Sequence, residues 1–113
     1  MSIENWSDDV LLVELTDDPQ FTDDVNSVQE SLEARENLNV VLNFQNVTFI
    51  NSSNIAKLLK LRKIIVVNRG RKLRLCTINT HVWGVFLVTG LDKIFDVFDD
   101  VASALASIHL DGK

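Results

Sequence analysis

The order of apolar and polar positions divides the chain into alternating strand and helix candidates. Ile3 to Trp6 reads as a short strand, Ser7-Asp8-Asp9 as a turn, and Val10 to Leu15 as a nearly continuous apolar run. Such a run is expected of a strand covered on both faces, and the two strands together read as a hairpin. Phe21, Val25, Val28 and Leu32 then recur at helical spacing, which predicts a helix from about Thr22 to Glu36 with one apolar stripe. Thr22 is its candidate cap, and Asp23 and Asp24 fall in the first turn, where the helix dipole favours anions. Asn37 is a candidate left-handed terminator.

Val40 to Phe44 is a third strand candidate. The second helix is expected over Asn51 to Asn68, capped by Asn51, Ser52 or Ser53 and ended by Gly70. Lys72 to Ile78 alternates basic and apolar residues, the pattern of a strand with one wet face. Thr80 to Val88 reads as a short apolar helix ending at Thr89-Gly90. Ile94 to Phe98 reads as a strand, and Asp99 as the cap of a last helix reaching about His109. Strands joined through helices imply right-handed crossovers. The expected architecture is therefore α/β: a mostly parallel sheet of four to five strands, an N-terminal antiparallel hairpin and about four helices.

Size fits this picture without staples. A chain of 113 residues suits one domain, taken here as residues 1–113, and one proline with four glycines leaves no long linker. Cys76 is the lone cysteine, so no internal disulfide is available. The longest apolar run, Val82 to Val88, is broken by Gly84 and is far short of the roughly 20 residues that cross a bilayer. Met1 to Trp6 lacks the basic-then-apolar order of a signal peptide. A cytoplasmic protein without membrane insertion is expected.

Charge is segregated along the chain. Residues 1–36 hold eleven acids and one base, residues 37–91 eight bases and no acids, and residues 92–113 five acids and two bases. The net values of −10, +8 and −3 sum to the −5 of the whole chain. The fold either builds patches of opposite sign from these segments or interleaves them into a self-neutralising surface. Nucleic-acid binding is not expected: the bases are few and no aromatic residues are interleaved among them.

A search for catalytic chemistry returns little. Glycine-rich phosphate loops, paired cysteines and metal-spaced histidines are absent from the sequence. His81 and His109 read as surface or capping histidines, and Cys76, among apolar neighbours, as a buried inert thiol. Asp17-Asp18 and Asp23-Asp24 fit a solvated loop and a helix start better than a pair of general bases. Ser53 as a nucleophile would need a base, and no histidine is near it in sequence. No cofactor is expected.

The second helix is more informative. At 100° per residue, Ile55, Leu58, Leu59, Leu61, Ile65 and Val66 share a broad core face. Ser53, Lys57, Lys60 and Ile64 form the opposite stripe, with Val67 beside them. That combination suits docking more than solvation alone. Arg62 falls inside the apolar arc and fits it badly.

The run Val47 to Leu59, VTFINSSNIAKLL, resembles the signature of STAS domains, the sulfate-transporter and anti-sigma-factor-antagonist family. The family pattern there is an apolar strand and loop, then Asp-Ser-Ser/Thr-Gly, then an apolar helix. Thr89-Gly90-Leu91, then Ile94-Phe95 and Ala104-Leu105, resembles the family's Thr-Gly-Leu, short strand and late Ala-Leu pair. The lack of membrane spans is similar to the stand-alone antagonists. The resemblance implies a partner switch: the unphosphorylated antagonist binds an anti-sigma factor that is also a serine kinase of ATPase fold. Phosphorylation at the start of the second helix releases that partner, and a serine phosphatase resets the switch. It places the phosphoacceptor at Ser53, with Ser52 preceding it, and the acidic loop at Asp17 and Asp18. With the exposed stripe of the second helix added, the expected partner surface is Asp17, Asp18, Asn51, Ser52, Asn54, Lys57, Lys60 and Ile64.

Two positions depart from the pattern. The family's aspartate is Asn51 and its glycine is Asn54. The first removes a charge that a kinase would read, and the second adds a side chain where a partner approaches. Those departures favour an alternative: a constitutive, unphosphorylated interaction subunit of a larger scaffold or a membrane transporter complex.

Overall fold

The structure is a computed structural model that describes the backbone of residues 3–111 and the side chains of residues 3–108. The strands are β1 (Ile3–Ser7), β2 (Val10–Thr16), β3 (Asn39–Asn46), β4 (Leu73–Cys76) and β5 (Asp96–Phe98). The helices are α1 (Gln20–Ala34), α2 (Ser52–Arg62), α3 (Thr80–Thr89) and α4 (Val101–Asp111). The five strands lie in chain order, β1-β2-β3-β4-β5. β1 pairs antiparallel with β2, and β2 to β5 pair in parallel. This is the expected α/β plan with its N-terminal hairpin.

Strand alternation divides the core in two. Leu11, Val13 and Leu15 of β2, Val40, Leu42 and Phe44 of β3, and Leu73 and Leu75 of β4 face one layer. There they meet the apolar stripes of α1, α2 and α3. Val10, Val41 and Cys76 face the other way, onto Ala104, Leu105 and Ile108 of α4. Phe44 anchors the larger layer, with its ring edge-on to both Phe21 and Phe86. Connections after β2, β3 and β4 therefore turn to one face of the sheet, and the connection after β5 turns to the other.

The structure departs from the sequence reading at identifiable places. β4 has no wet face: all four residues are buried, and Arg74 is only 6% exposed. α4 covers that side, where Arg74 ion-pairs with Asp96 at 2.9 Å and its Nε donates to Ser107 Oγ at 2.9 Å. Asp99 is not the α4 cap. The Asp100 carboxylate accepts from Ser103 N at 2.7 Å, which holds its carboxyl below the usual value. β5 begins at Asp96 rather than Ile94, because a short 3-10 turn, Leu91–Lys93, follows α3.

α1 ends in extended backbone at Arg35, so Asn37 does not terminate it in a left-handed turn. Its first turn is capped by Asp18 and not by Thr22: the Asp18 carboxylate accepts from Thr22 N at 3.0 Å and from Thr22 Oγ1 at 2.8 Å. Asp24 is buried rather than solvated, with Gln20 Nε2 donating to it at 3.1 Å. Gly90 ends α3 at φ 79°, a left-handed position that glycine adopts without a Cβ penalty. Cys76 is buried, and burial pushes its thiol up. His109 lies outside the described side chains.

Candidate functional site

The site is the junction of two loops at the carboxyl ends of β2 and β3. Both loops run straight into helices, so their residues lead into the first turns of α1 and α2. Asp17 and Asp18 belong to the first loop, and Val47 to Asn51 to the second. Each acid reaches across. Asp17 Oδ1 accepts from Thr48 N at 2.8 Å, and Asp17 Oδ2 accepts from Thr48 Oγ1 at 2.6 Å. Asp18 Oδ2 accepts from Asn54 Nδ2 at 2.8 Å and from Asn51 Nδ2 at 3.4 Å.

The α2 cap is built by the two residues that depart from the family pattern. Asn51 Oδ1 accepts from Asn54 N at 2.8 Å, and Asn54 Oδ1 accepts from Asn51 N at 3.1 Å. This reciprocal capping box satisfies two orphan donors at once. Asn54 is 2% exposed, so its side chain points into the protein and not out to the surface where a partner would approach. Of the three candidate caps, Asn51 is the one used; the hydroxyls of Ser52 and Ser53 are left exposed.

Donors aimed at the two acids favour their ionised forms. Asp17 is held below the usual carboxylate value chiefly by the Thr48 hydroxyl. Asp18 is held below it chiefly by the Asn54 amide and then by the Thr22 hydroxyl. Asp18 places a negative charge beside Asn51, next to the positive end of α2.

The face of α2 is turned relative to the sequence reading. Leu58, Leu61 and Ile65 are buried as expected, with Ile55 and Val66 packed partly against them. Leu59 is not core: it is 40% exposed. Burying Asn54 against Asp18 rotates the helix so that residues 54, 58 and 61 point inward and residue 59 swings out. Beyond Arg62 the chain continues as a π-helix, Lys63–Asn68. Its wider i→i+5 turns carry Ile64 back against the core, so Ile64 leaves the docking stripe. Arg62 is also accounted for: its Nε donates to Ile94 O at 3.1 Å.

The exposed face of α2 and the start of the π-helix is therefore Ser52, Ser53, Ala56, Leu59, Lys60 and Lys63. Lys57 lies at its edge, half-buried, with Nζ donating to Ser53 Oγ at 3.1 Å. Phe49, 47% exposed, flanks it from the β3–α2 loop. Sequence reasoning missed Phe49, Ala56, Leu59 and Lys63. Phe49 and Leu59 were concealed by lying among apolar neighbours, and the exposure of Lys63 was the one readable signal. Among the described residues no group of His, Cys, Asp or Glu is placed to hold a metal ion.

Comparison with known proteins agrees with this geometry. The family model for the STAS domain matches residues 7–104. An anti-sigma F factor antagonist of Paenibacillus polymyxa is 28% identical over 104 residues, which cover 89% of this chain and 88% of the relative. The solved structure of the anti-sigma factor antagonist SpoIIAA in its unphosphorylated form superposes with a TM-score of 0.72 at 17% identity, covering 98% of this chain and 96% of the other. A sulfate transporter family protein of Wolinella succinogenes superposes with a TM-score of 0.74 at 22% identity, covering 89% and 85%. At those identities the two structures show a shared fold. With the family pattern spanning most of its length and the expected sheet order in place, the chain belongs to the STAS domain family.

Proposed function

We propose that this chain is a protein-binding regulatory module of the anti-sigma factor antagonist type, switched by phosphorylation of Ser53. The observation that carries the reading is the placement of Ser53. It is an exposed hydroxyl on the first turn of α2, on a frame held from behind by Asp18, Asn51 and Asn54. A phosphate can be added there without disturbing any bond of the frame.

The energetics favour release of a partner over unfolding. A phosphate adds about −1.5 to −2 charges. At a helix N-terminus this is favourable by roughly 0.3–1 kcal/mol, and Lys57 Nζ is already next to the hydroxyl. Inside an interface the same group, left unpaired, costs on the order of 2–5 kcal/mol. The interface cost exceeds the local gain, so phosphorylation ejects the partner and leaves the domain folded. The proposed partner surface is Ser52, Ser53, Ala56, Leu59 and Lys60, with Phe49 at its rim and Asn51 and Lys57 at its edges. Asp17 and Asp18 act by fixing the loops. The proposed partners are a serine kinase of ATPase fold and a serine phosphatase, in the cytoplasm, and the chain itself is not an enzyme.

Incubation with ATP and lysate of its own cells tests this. One phosphate is expected on Ser53, absent from Ser53→Ala and retained in Ser52→Ala. One observation favours a second reading, the constitutive interaction subunit: Asn51 leaves residue 51 uncharged. Persistent partner binding with Ser53 unmodified in every condition would establish that reading instead.

A further inference from the structure

We propose a small-molecule site, separate from the Ser53 face, in the cleft between the β4–α3 and β5–α4 connections. It takes a planar aromatic ligand that carries an amine. Three observations converge on it.

The first is topological. β4 and β5 are parallel neighbours, yet α3 after β4 packs on one face of the sheet and α4 after β5 packs on the other. Two adjacent strands whose connections part in this way leave a crevice outside their carboxyl ends, the position where open α/β sheets bind ligands. Neither β2 and β3 nor β3 and β4 part in this way, since α1, α2 and α3 share one layer.

The second is the cleft itself. It has a volume of about 420 Å³ and is lined by Ile78, Thr80, Trp83, Val97, Phe98 and Asp99. That volume lies within the range of small-ligand sites, and the wall is mixed, with polar and apolar surface in nearly equal shares. Val97 belongs to the larger core layer and Phe98 to the smaller one, so the cleft sits between the two. Trp83 stacks on Phe86 at a centroid distance of 6.2 Å, which holds its ring in place.

The third is backbone strain. Thr77, the residue joining β4 to the lining segment, has φ 60°. A β-branched residue rarely occupies the left-handed region, and such strain concentrates at functional sites. Thr77 N is held there by a bond to Phe98 O at 3.2 Å, across the base of the cleft.

The lining chemistry sets the ligand class. Trp83 and Phe98 offer aromatic surfaces for a planar ring. Asp99 is the charged side chain of the lining, and Thr80 supplies a hydroxyl. Arg74 lies behind Phe98, 5.9 Å from its ring centroid, with its charge matched by Asp96. The partial positive charge at the start of α3, about half a unit, is smaller than the full charge of Asp99, so an amine is favoured over a carboxylate or phosphate.

Trp83 fluorescence in the Trp6→Phe chain tests the site, with 2-phenylethylamine and 3-phenylpropionate as probes of like size and opposite charge. The amine should give a saturable change, and the carboxylate should bind about fivefold more weakly, as one exposed ion pair gained or opposed would give. Val97→Phe should abolish the response by filling the cleft. Asp99→Asn, an exposed change that leaves the core intact, should bring the two affinities together. Absence of a saturable response to either probe in the folded protein overturns the site, as does a response that survives Val97→Phe. Equal binding of both probes before the Asp99 change overturns the ligand class.

Discussion

The starts of α2 and α3 use the same residue for the same task and end up with different properties. Asn51 caps α2 by accepting from Asn54 N at 2.8 Å, and Asn79 caps α3 by accepting from Val82 N at 2.8 Å. The difference lies in what holds the cap from outside. Asn79 Nδ2 donates to a backbone carbonyl, Val47 O, at 2.9 Å. At α2 the holding group is the Asp18 carboxylate, which also caps α1 through Thr22. One acid thus ties two helix starts and two loops together, and the two hydroxyls that follow Asn51 are left exposed. A cap alone makes a helix end; a cap bonded to a distant carboxylate also joins that end to a second loop.

Among the polar contacts, the largest expected effect breaks that link. Asp18→Ala removes the α1 cap and strands the buried Asn54 amide, so unfolding free energy should fall by about 2–4 kcal/mol. Asn79→Ala removes one cap, and a loss of about 0.5–2 kcal/mol is expected. Chemical denaturation of both variants measures the contrast. Equal losses would mean that Asp18 does no more than an ordinary cap.

Acid should sharpen the same distinction. Asp17 and Asp18 have carboxyls held below the ordinary value of about 4. Their stabilisation is fully present above that ordinary value and is lost as pH falls through the lowered ones. Thermal midpoints should therefore drop below about pH 4, and the Asn54 side-chain amide signals should move in the same window. In Asp18→Ala the drop should be shallower. The α3 start, with no carboxylate on its cap, should not respond locally.

The smallest effect concerns the phase of α2. Leu59→Ala should cost less than about 1 kcal/mol because the side chain is exposed, whereas Leu58→Ala should cost about 2–5 kcal/mol. Comparable losses would mean that the helix is rotated from the position described.

Much of this plan was legible in the chain. Alternation and helical spacing located the sheet, the helices and the Gly90 terminator, and the candidate site was drawn from the serine pair together with the STAS-like run around it. What stayed hidden depended on long-range polar contacts. Asn54 reads as a surface residue until Asp18 is found 2.8 Å from its amide, and that single bond turns the helix and exposes Leu59. Arg74 in an alternating strand reads as solvated until α4 folds over it with Ser107 and Asp96. Periodicity reports which positions are apolar, and it is silent on polar side chains buried in pairs.

Phosphate on Ser53 is proposed to separate this chain from its partner while the fold persists. The direct measurement is phosphopeptide mass spectrometry on protein recovered from its own cells, divided by size into free and partner-bound pools. Phosphorylated Ser53 is expected in the free pool and unmodified Ser53 in the bound pool, with Ser52 unmodified in both. Phosphate on Ser53 at equal levels in the two pools, or on Ser53 in neither, would contradict it.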